Sequence, residues 1–143
     1  MGPPKKGQTI LVSAAAGAVG SVVGQVAKDL GLTVIGLAGG PDKTRLVEEK
    51  FKFDKCIDYK RAGDKLDQAI KEACPQGSLH TTHSTHVTHT TRHKTLMRLD
   101  ACAGVDLYWD GAGGPTLDAV LLNMKPHGRV VMCGQVRMTH GHT

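Results

Sequence analysis

The stretch Gln8-Thr9-Ile10-Leu11-Val12-Ser13-Ala14-Ala15-Ala16-Gly17-Ala18-Val19-Gly20 decides how this chain folds. Gln8 to Ser13 is a short apolar run rich in β-formers, which reads as a buried strand. It breaks at once into small residues, Ala14 to Gly20, that suit a tight turn. From Ser21 to Leu30 the apolar positions Val22, Val23, Val26, Ala27 and Leu30 recur at three- and four-residue intervals, with Gly31 as a stop. That spacing predicts a helix packed on one face.

Working outward, the same alternation repeats. Leu32 to Ala38 is a second strand closed by Gly39-Gly40, and Pro41-Asp42 opens an amphipathic segment carrying Leu46, Val47 and Phe51. Cys56 to Tyr59 is a weaker third strand, and Leu66 to Ala73 a third helix ending at Pro75-Gln76-Gly77. Val105 to Asp110 (VDLYWD) is a fourth strand, Gly111 to Gly114 a turn, Pro115 to Met124 a fourth helix and Gly128 to Cys133 a fifth strand. Strand and helix in strict alternation with short connections predict an α/β fold: a doubly wound, Rossmann-like parallel sheet of about five strands, helices on both faces, incomplete at its C-terminal side. At 143 residues the chain is one domain, residues 1–143, with a single core.

Ser78 to Thr95 breaks this style. It holds five histidines and seven threonines, with His80, His83, His86 and His89 at a three-residue period. Residues 78–104 therefore read as a disordered, low-complexity insertion within the domain, since so polar a segment buries too little apolar surface to offset its ordering entropy. Neutral imidazoles at that period suit Zn, Ni or Cu, yet the run matches none of the ligand spacings of structural zinc sites. No metal site is assigned.

A strand that ends in small residues and leads into a helix presents unpaired N–H groups and a positive dipole end, where a pyrophosphate is held best. Here the pattern is A-x-x-G-x-x-G, with Ala14 in place of the usual first glycine. Gly17 permits close backbone approach of a ligand, and Gly20 permits close helix-on-strand packing. The second strand's tip selects the dinucleotide. An NAD site places a carboxylate there; this chain offers Leu37 to Gly40, followed after Asp42 by Lys43 and Arg45. NADP is favoured, with Lys43 and Arg45 as partners for a 2′-phosphate.

At this point TILVSAAAGAVGSVVGQVAK, AGGPDK, IDYK, VDLYWDGAGG and GRVVMCGQV together resemble the cofactor domain of the zinc-independent medium-chain dehydrogenases/reductases, in particular the prostaglandin reductase and alkenal double-bond reductase branch. The resemblance implies that Ala16, Gly17, Ala18, Val19 and Gly20 form the pyrophosphate turn. It places Lys43 and Tyr59 around the adenosine 2′-phosphate, and Cys133, Gly134, Gln135 and Val136 beside the nicotinamide ribose. It implies an oxidoreductase in which NADPH delivers hydride to the β-carbon of an α,β-unsaturated aldehyde or ketone. Where that branch reads D-N-V-G-G, this chain has Asp110-Gly111-Ala112-Gly113-Gly114. The branch's substrate domain has no counterpart in these residues, so the chain is expected to bind cofactor without efficient turnover. No catalytic residue is assigned. The alternatives are a non-catalytic dinucleotide-binding remnant and a His-rich metal-binding protein.

Composition narrows the partners. Aromatic residues are 3% of the chain, too few for base-stacking platforms, so the +5 charge is not read as nucleic-acid binding. No apolar run approaches the roughly 20 residues of a membrane span. The expected partners are the dinucleotide and, given a substrate domain, a small enone, with a homodimer left open. Cysteines at 56, 74, 102 and 133 form no C-x-x-C pair and read as reduced, buried thiols; with no apolar leader at the N-terminus, the expected address is the cytoplasm.

Overall fold

The computed structural model describes residues 3–74 and 104–134. The insertion assigned to residues 78–104 lies outside the described residues, except for Gly104.

Four fully buried residues form β1, Thr9–Val12. Parallel strands covered on both faces must be apolar throughout, and here the period of two divides them cleanly. Ile10 and Val12 join a core with Ala27, Val34, Val47, Phe53 and Leu107, whereas Leu11 joins Ile35, Leu37, Ile57, Ile70 and Tyr108 on the other side. In place of the single core expected from the length, the sheet divides the buried apolar residues into two clusters, the first roofed by α1 (Ala18–Asp29) and α2 (Pro41–Glu49). The second is roofed by α4 (Leu66–Ala73) and α5 (Gly114–Leu121). Between β3 (Lys55–Asp58) and α4 lie a single turn of helix, α3 (Tyr59–Ala62), and a 3-10 turn, Gly63–Lys65.

The sheet is all-parallel and runs β3-β2-β1-β4-β5, where β2 is Thr33–Ala38, β4 Val105–Asp110 and β5 Met124–Met132. Ile10 stands opposite Val34 on one side and Leu107 on the other. The chain winds outward from β1 to β3, crosses back, and winds outward again through β4 and β5. Right-handed crossovers then put the helices of the two halves on opposite faces. The reversal of direction falls between β1 and β4.

Three boundaries differ by three residues or more from those the sequence predicts. Helix α1 begins at Ala18, three residues before Ser21, because Gly17 caps it through backbone alone. Helix α5 ends at Leu121, since Asn123 turns its amide onto the carbonyls of Asp67 and Ala119. That releases Met124 to pair with Val105 and start β5 four residues before Gly128. The extra residues bulge between the Val105 and Leu107 pairings, with His127 at φ 64°.

Candidate functional site

Because the five strands of the described residues are parallel, the segments following them emerge along one edge of the sheet, and those residues singled out by the sequence that are described gather there. At the end of β1, Ala14 is held at φ 50°, the left-handed conformation that the usual first glycine of this turn supplies freely. The turn closes with Gly17 N–H on Ala14 C=O at 2.8 Å and is tied to the neighbouring strand by Ala15 N–H on Leu37 C=O at 3.0 Å. Gly17 caps α1 with no side chain, and the first turn carries no acidic residue. The N–H groups of Ala18, Val19 and Gly20 therefore face outward from a helix start without a side-chain acceptor, with the dipole's positive end behind them.

The two glycines of the turn do different work. A Cβ on Gly20 would strike the carbonyl of Ala14, so this glycine lets the helix sit on the turn. A Cβ on Gly17 would meet only Ala14 O, at 3.1 Å, and otherwise open space. Gly17 leaves the approach to the helix start clear.

The second segment follows β2. Gly40, at φ 95°, caps α2, and Thr44 Oγ1 donates to its carbonyl at 2.9 Å. Lys43 is exposed on the first turn of α2. Arg45, the other cation expected here, lies with Nε 3.9 Å from Glu49 Oε1 one turn further along the helix. Beside this turn stands a carboxylate, Asp58, that the sequence shows within IDYK but gives no role. Ala38 pairs with Asp58, and Asp58 Oδ1 accepts from Gly40 N–H at 2.9 Å, Lys60 N–H at 3.1 Å and Arg61 N–H at 3.4 Å. The Gly40 N–H, foremost, holds this carboxyl below its usual range. An acidic residue directly ahead of a Tyr-Lys-Arg turn has the position of an N-cap, which is the signal that could have found it. Tyr59, 40% exposed, lies over Gly39 with its hydroxyl 2.8 Å from where a Cβ would stand.

The third group occupies the crevice between β1 and β4. Ser13 Oγ donates to Trp109 C=O at 3.2 Å and accepts from Gly111 N–H at 2.8 Å. Asp110 is fully buried; its Oδ1 accepts from Tyr108 Oη and from the N–H groups of Ala112 and Gly113, while Oδ2 has no partner among the described residues. Burial pushes the Tyr108 hydroxyl up, so it stays a donor. The carbonyl of Asp110 also accepts from Cys133 N–H at 2.9 Å and Gly134 N–H at 3.2 Å. Asp110 thus ties the loop after β4 to the loop after β5. Sequence reasoning noticed it only as part of a motif.

Cys133 and Gly134 stand at this edge, and Gln135 and Val136 lie outside the described residues. The expectation of buried thiols holds for Cys56 and Cys74 and fails for Cys133, which is exposed because β5 is the sheet's outer strand and Cys133 lies just beyond its end. Cys102 lies outside the described residues. Tyr108 is core, and Trp109 packs on the opposite face beside Ile10, Val23 and Leu107. No helix of the described residues is long and apolar enough to cross a membrane.

Comparison with known proteins agrees with the motif resemblance. Over 133 residues, 93% of its length, the chain is 41% identical to 2-alkenal reductase (NADP(+)-dependent) of Nicotiana tabacum. It is 36% identical over 132 residues to prostaglandin reductase 1 of Bos taurus. It spans 31% of the length of each of these relatives. Among solved structures, CurA of Vibrio vulnificus in complex with NADPH superposes with a TM-score of 0.69 at 32% identity, covering 98% of this chain and 34% of that one. The profile of the family described as zinc-binding dehydrogenase matches residues 18–142, so a fold wound around a glycine-capped α1 and a sequence matched over nearly its whole length place this chain in that family.

Proposed function

We propose that this chain is the NADPH-binding domain of an oxidoreductase that reduces the carbon–carbon double bond of α,β-unsaturated aldehydes or ketones. The observation that carries the reading is the bare start of α1, with Ala14 left-handed, Gly17 open and no acidic side chain in the first turn. Such a helix end is built for an anion, and it lies beside the point where strand order reverses, where open α/β sheets take their ligands.

In this reading Ala16 to Gly20 hold the pyrophosphate, Lys43 and Tyr59 the 2′-phosphate, and Cys133 to Val136 flank the nicotinamide ribose. Bound NADPH supplies the hydride. The chain's own residues bind and orient: the α1 N–H groups fix the phosphates, Ser13 ties the end of β1 to the loop after β4, and Asp110 ties that loop to the one after β5. Two names support the assignment, an NADP(+)-dependent alkenal reductase and a structure complexed with NADPH. The family's description also implies zinc. Among the described residues no group of three His, Cys, Asp or Glu side chains is placed to hold a metal ion. These residues do not fit that ion, and no step is derived through it.

Hydride transfer needs a substrate carbon held against the nicotinamide in aligned geometry, a requirement worth several kcal/mol of the barrier, on the order of 7 or more. The relatives are about three times as long, and turnover belongs to a chain that contains the other wall of the cleft. Fluorescence titration of the 143-residue chain with NADPH and NADH tests the reading. Saturable binding with NADPH preferred is the expected result, and equal affinities or no binding would remove it.

A further inference from the structure

We propose that Lys60 is the second cation of the 2′-phosphate site, laid over the Gly39–Gly40 turn by a clamp centred on Asp58. The proposal rests on the NADPH reading above and extends it to a residue that stands within IDYK but to which the resemblance assigns no role.

The starting point is that Arg45, the cation the sequence offers beside Lys43, points along α2 toward Glu49, away from the start of the helix. The register of the sheet supplies a replacement. Because Ala38 pairs with Asp58, the residues following β2 and those following β3 leave the sheet side by side. One oxygen of Asp58 then joins them: Oδ1 accepts from Gly40 on the first segment and from Lys60 and Arg61 on the second. A carboxylate beside a phosphate site repels the phosphate. Here Oδ1 faces three backbone N–H groups.

The clamp sets where the next two side chains go. A Cβ on Gly39 would stand 2.8 Å from Tyr59 Oη and 3.1 Å from Lys60 Cε. The ends of both side chains lie over the glycine while the residues stay exposed to solvent, and a Cβ at position 39 would make both ends shift. The lysine's last methylene thus lies against the same residue as the phenolic hydroxyl, next to the helix start that carries Lys43. Two ammonium groups and a phenol bordering one turn form a donor set for a phosphomonoester dianion. NADPH carries that group on its adenosine ribose, and NADH does not.

Lys60→Gln tests this, since it removes the charge while keeping most of the length of an exposed side chain. NADPH affinity is expected to fall about tenfold, the range of one charge-assisted hydrogen bond, with NADH affinity within about twofold of the parent. Gly39→Ala, which pushes Tyr59 and Lys60 apart, should lower the NADPH-to-NADH ratio in the same direction. Arg45→Gln should leave the ratio unchanged. The assignment is overturned if Lys60→Gln weakens both cofactors equally or leaves the ratio alone while the parent still prefers NADPH, or if Arg45→Gln shifts the ratio as much as Lys60→Gln. A parent that binds neither cofactor removes the NADPH reading itself, and this proposal with it.

Discussion

At the residue scale, two glycines three positions apart make opposite demands. Adding a methyl at Gly20 drives it into the Ala14 carbonyl, a backbone atom that cannot swing aside, so Gly20→Ala is expected to cost about 1–3 kcal/mol of stability. At Gly17 the same space is nearly free on the protein side. Gly17→Val should unfold in urea close to the parent yet bind NADPH at least tenfold more weakly, roughly the 1.4 kcal/mol of a blocked phosphate contact. Normal binding by that variant would show that the turn is not the cofactor site. Ala14 offers a converse test. Its left-handed φ costs roughly 1–2 kcal/mol in an L-residue, more than the 0.4–1 kcal/mol of chain entropy that a glycine adds to the unfolded state. Ala14→Gly should therefore stabilise by up to about 1 kcal/mol, read as a higher urea midpoint. Asp58 carries a pH signature. Its N–H partners, Gly40 first, favour the carboxylate in the folded state, so its folded pKa lies below the unfolded value near about 3.9. The contribution is complete above that value and is lost as pH falls through it toward the depressed folded pKa. Urea midpoints measured down a pH series should drop below about pH 4, and Asp58→Asn should flatten part of that drop.

At the scale of elements, β1, β2, β4, α2 and α4 were legible because each is bounded by strong local signals. Pro41 opens α2 after a glycine pair, and VDLYWD runs unbroken into Gly111. What escaped was decided by contacts across the fold. The single turn Tyr59–Ala62 exists because Asp58 caps it while also holding Gly40, and no window of sequence shows that second partner. The end of α5 is set by the Asn123 amide reaching Asp67, 56 residues away. The phosphate turn was visible as a pattern; the Asp110 clamp was not, because a buried acid and an exposed one look alike in one dimension. The exposure of Cys133 escaped for a related reason, since an apolar run does not say whether its strand is central or outermost. Element position makes the thiols distinguishable. Burial, foremost, pushes the Cys56 thiol up to about 12 and raises Cys74 as well. Alkylation of the native protein at pH 8, followed by peptide mass spectrometry, should label Cys133 and spare Cys56 and Cys74 until denaturant is added. Rapid labelling of Cys56 would mean that the α2–β3 packing opens readily. A core test belongs here too. Gly24 of α1 lies against the ring of Phe53, so Gly24→Ala should cost about 1–3 kcal/mol, with the loss eased by a smaller residue at position 53.

At the scale of the whole molecule, the parallel sheet separates two edges that serve different ends. The carboxyl edge gathers the segments after β1, β2, β3, β4 and β5, from Ala14 to Gly134, and holds every described residue proposed to touch the cofactor. The amino edge receives the chain as it returns to each strand, and there α4 ends and β4 begins. These two ends sit near one another: Cys74 and Val105 belong to the same buried cluster, and a Cβ on Gly104 would meet the Asn123 carbonyl and Lys125. A short connection can therefore replace the long one at an edge remote from the site. Removing residues 78–103, so that Gly77 is followed by Gly104, is expected to leave NADPH affinity within about twofold of the parent. Gly104 is kept because its close approach to Asn123 O admits no Cβ. Shortening a connection by that length changes closure entropy by only about 1–2 kcal/mol, in the stabilising direction, so the deleted chain should melt at or slightly above the parent. NADPH at a hundred times its Kd adds about 2.7 kcal/mol to any chain that binds it only when folded. Thermal melts of both chains, with and without NADPH, then read fold and site together: equal cofactor-induced shifts place the segment outside both, whereas a deleted chain that melts far lower, or whose shift vanishes, makes residues 78–103 part of the structure that holds the cofactor.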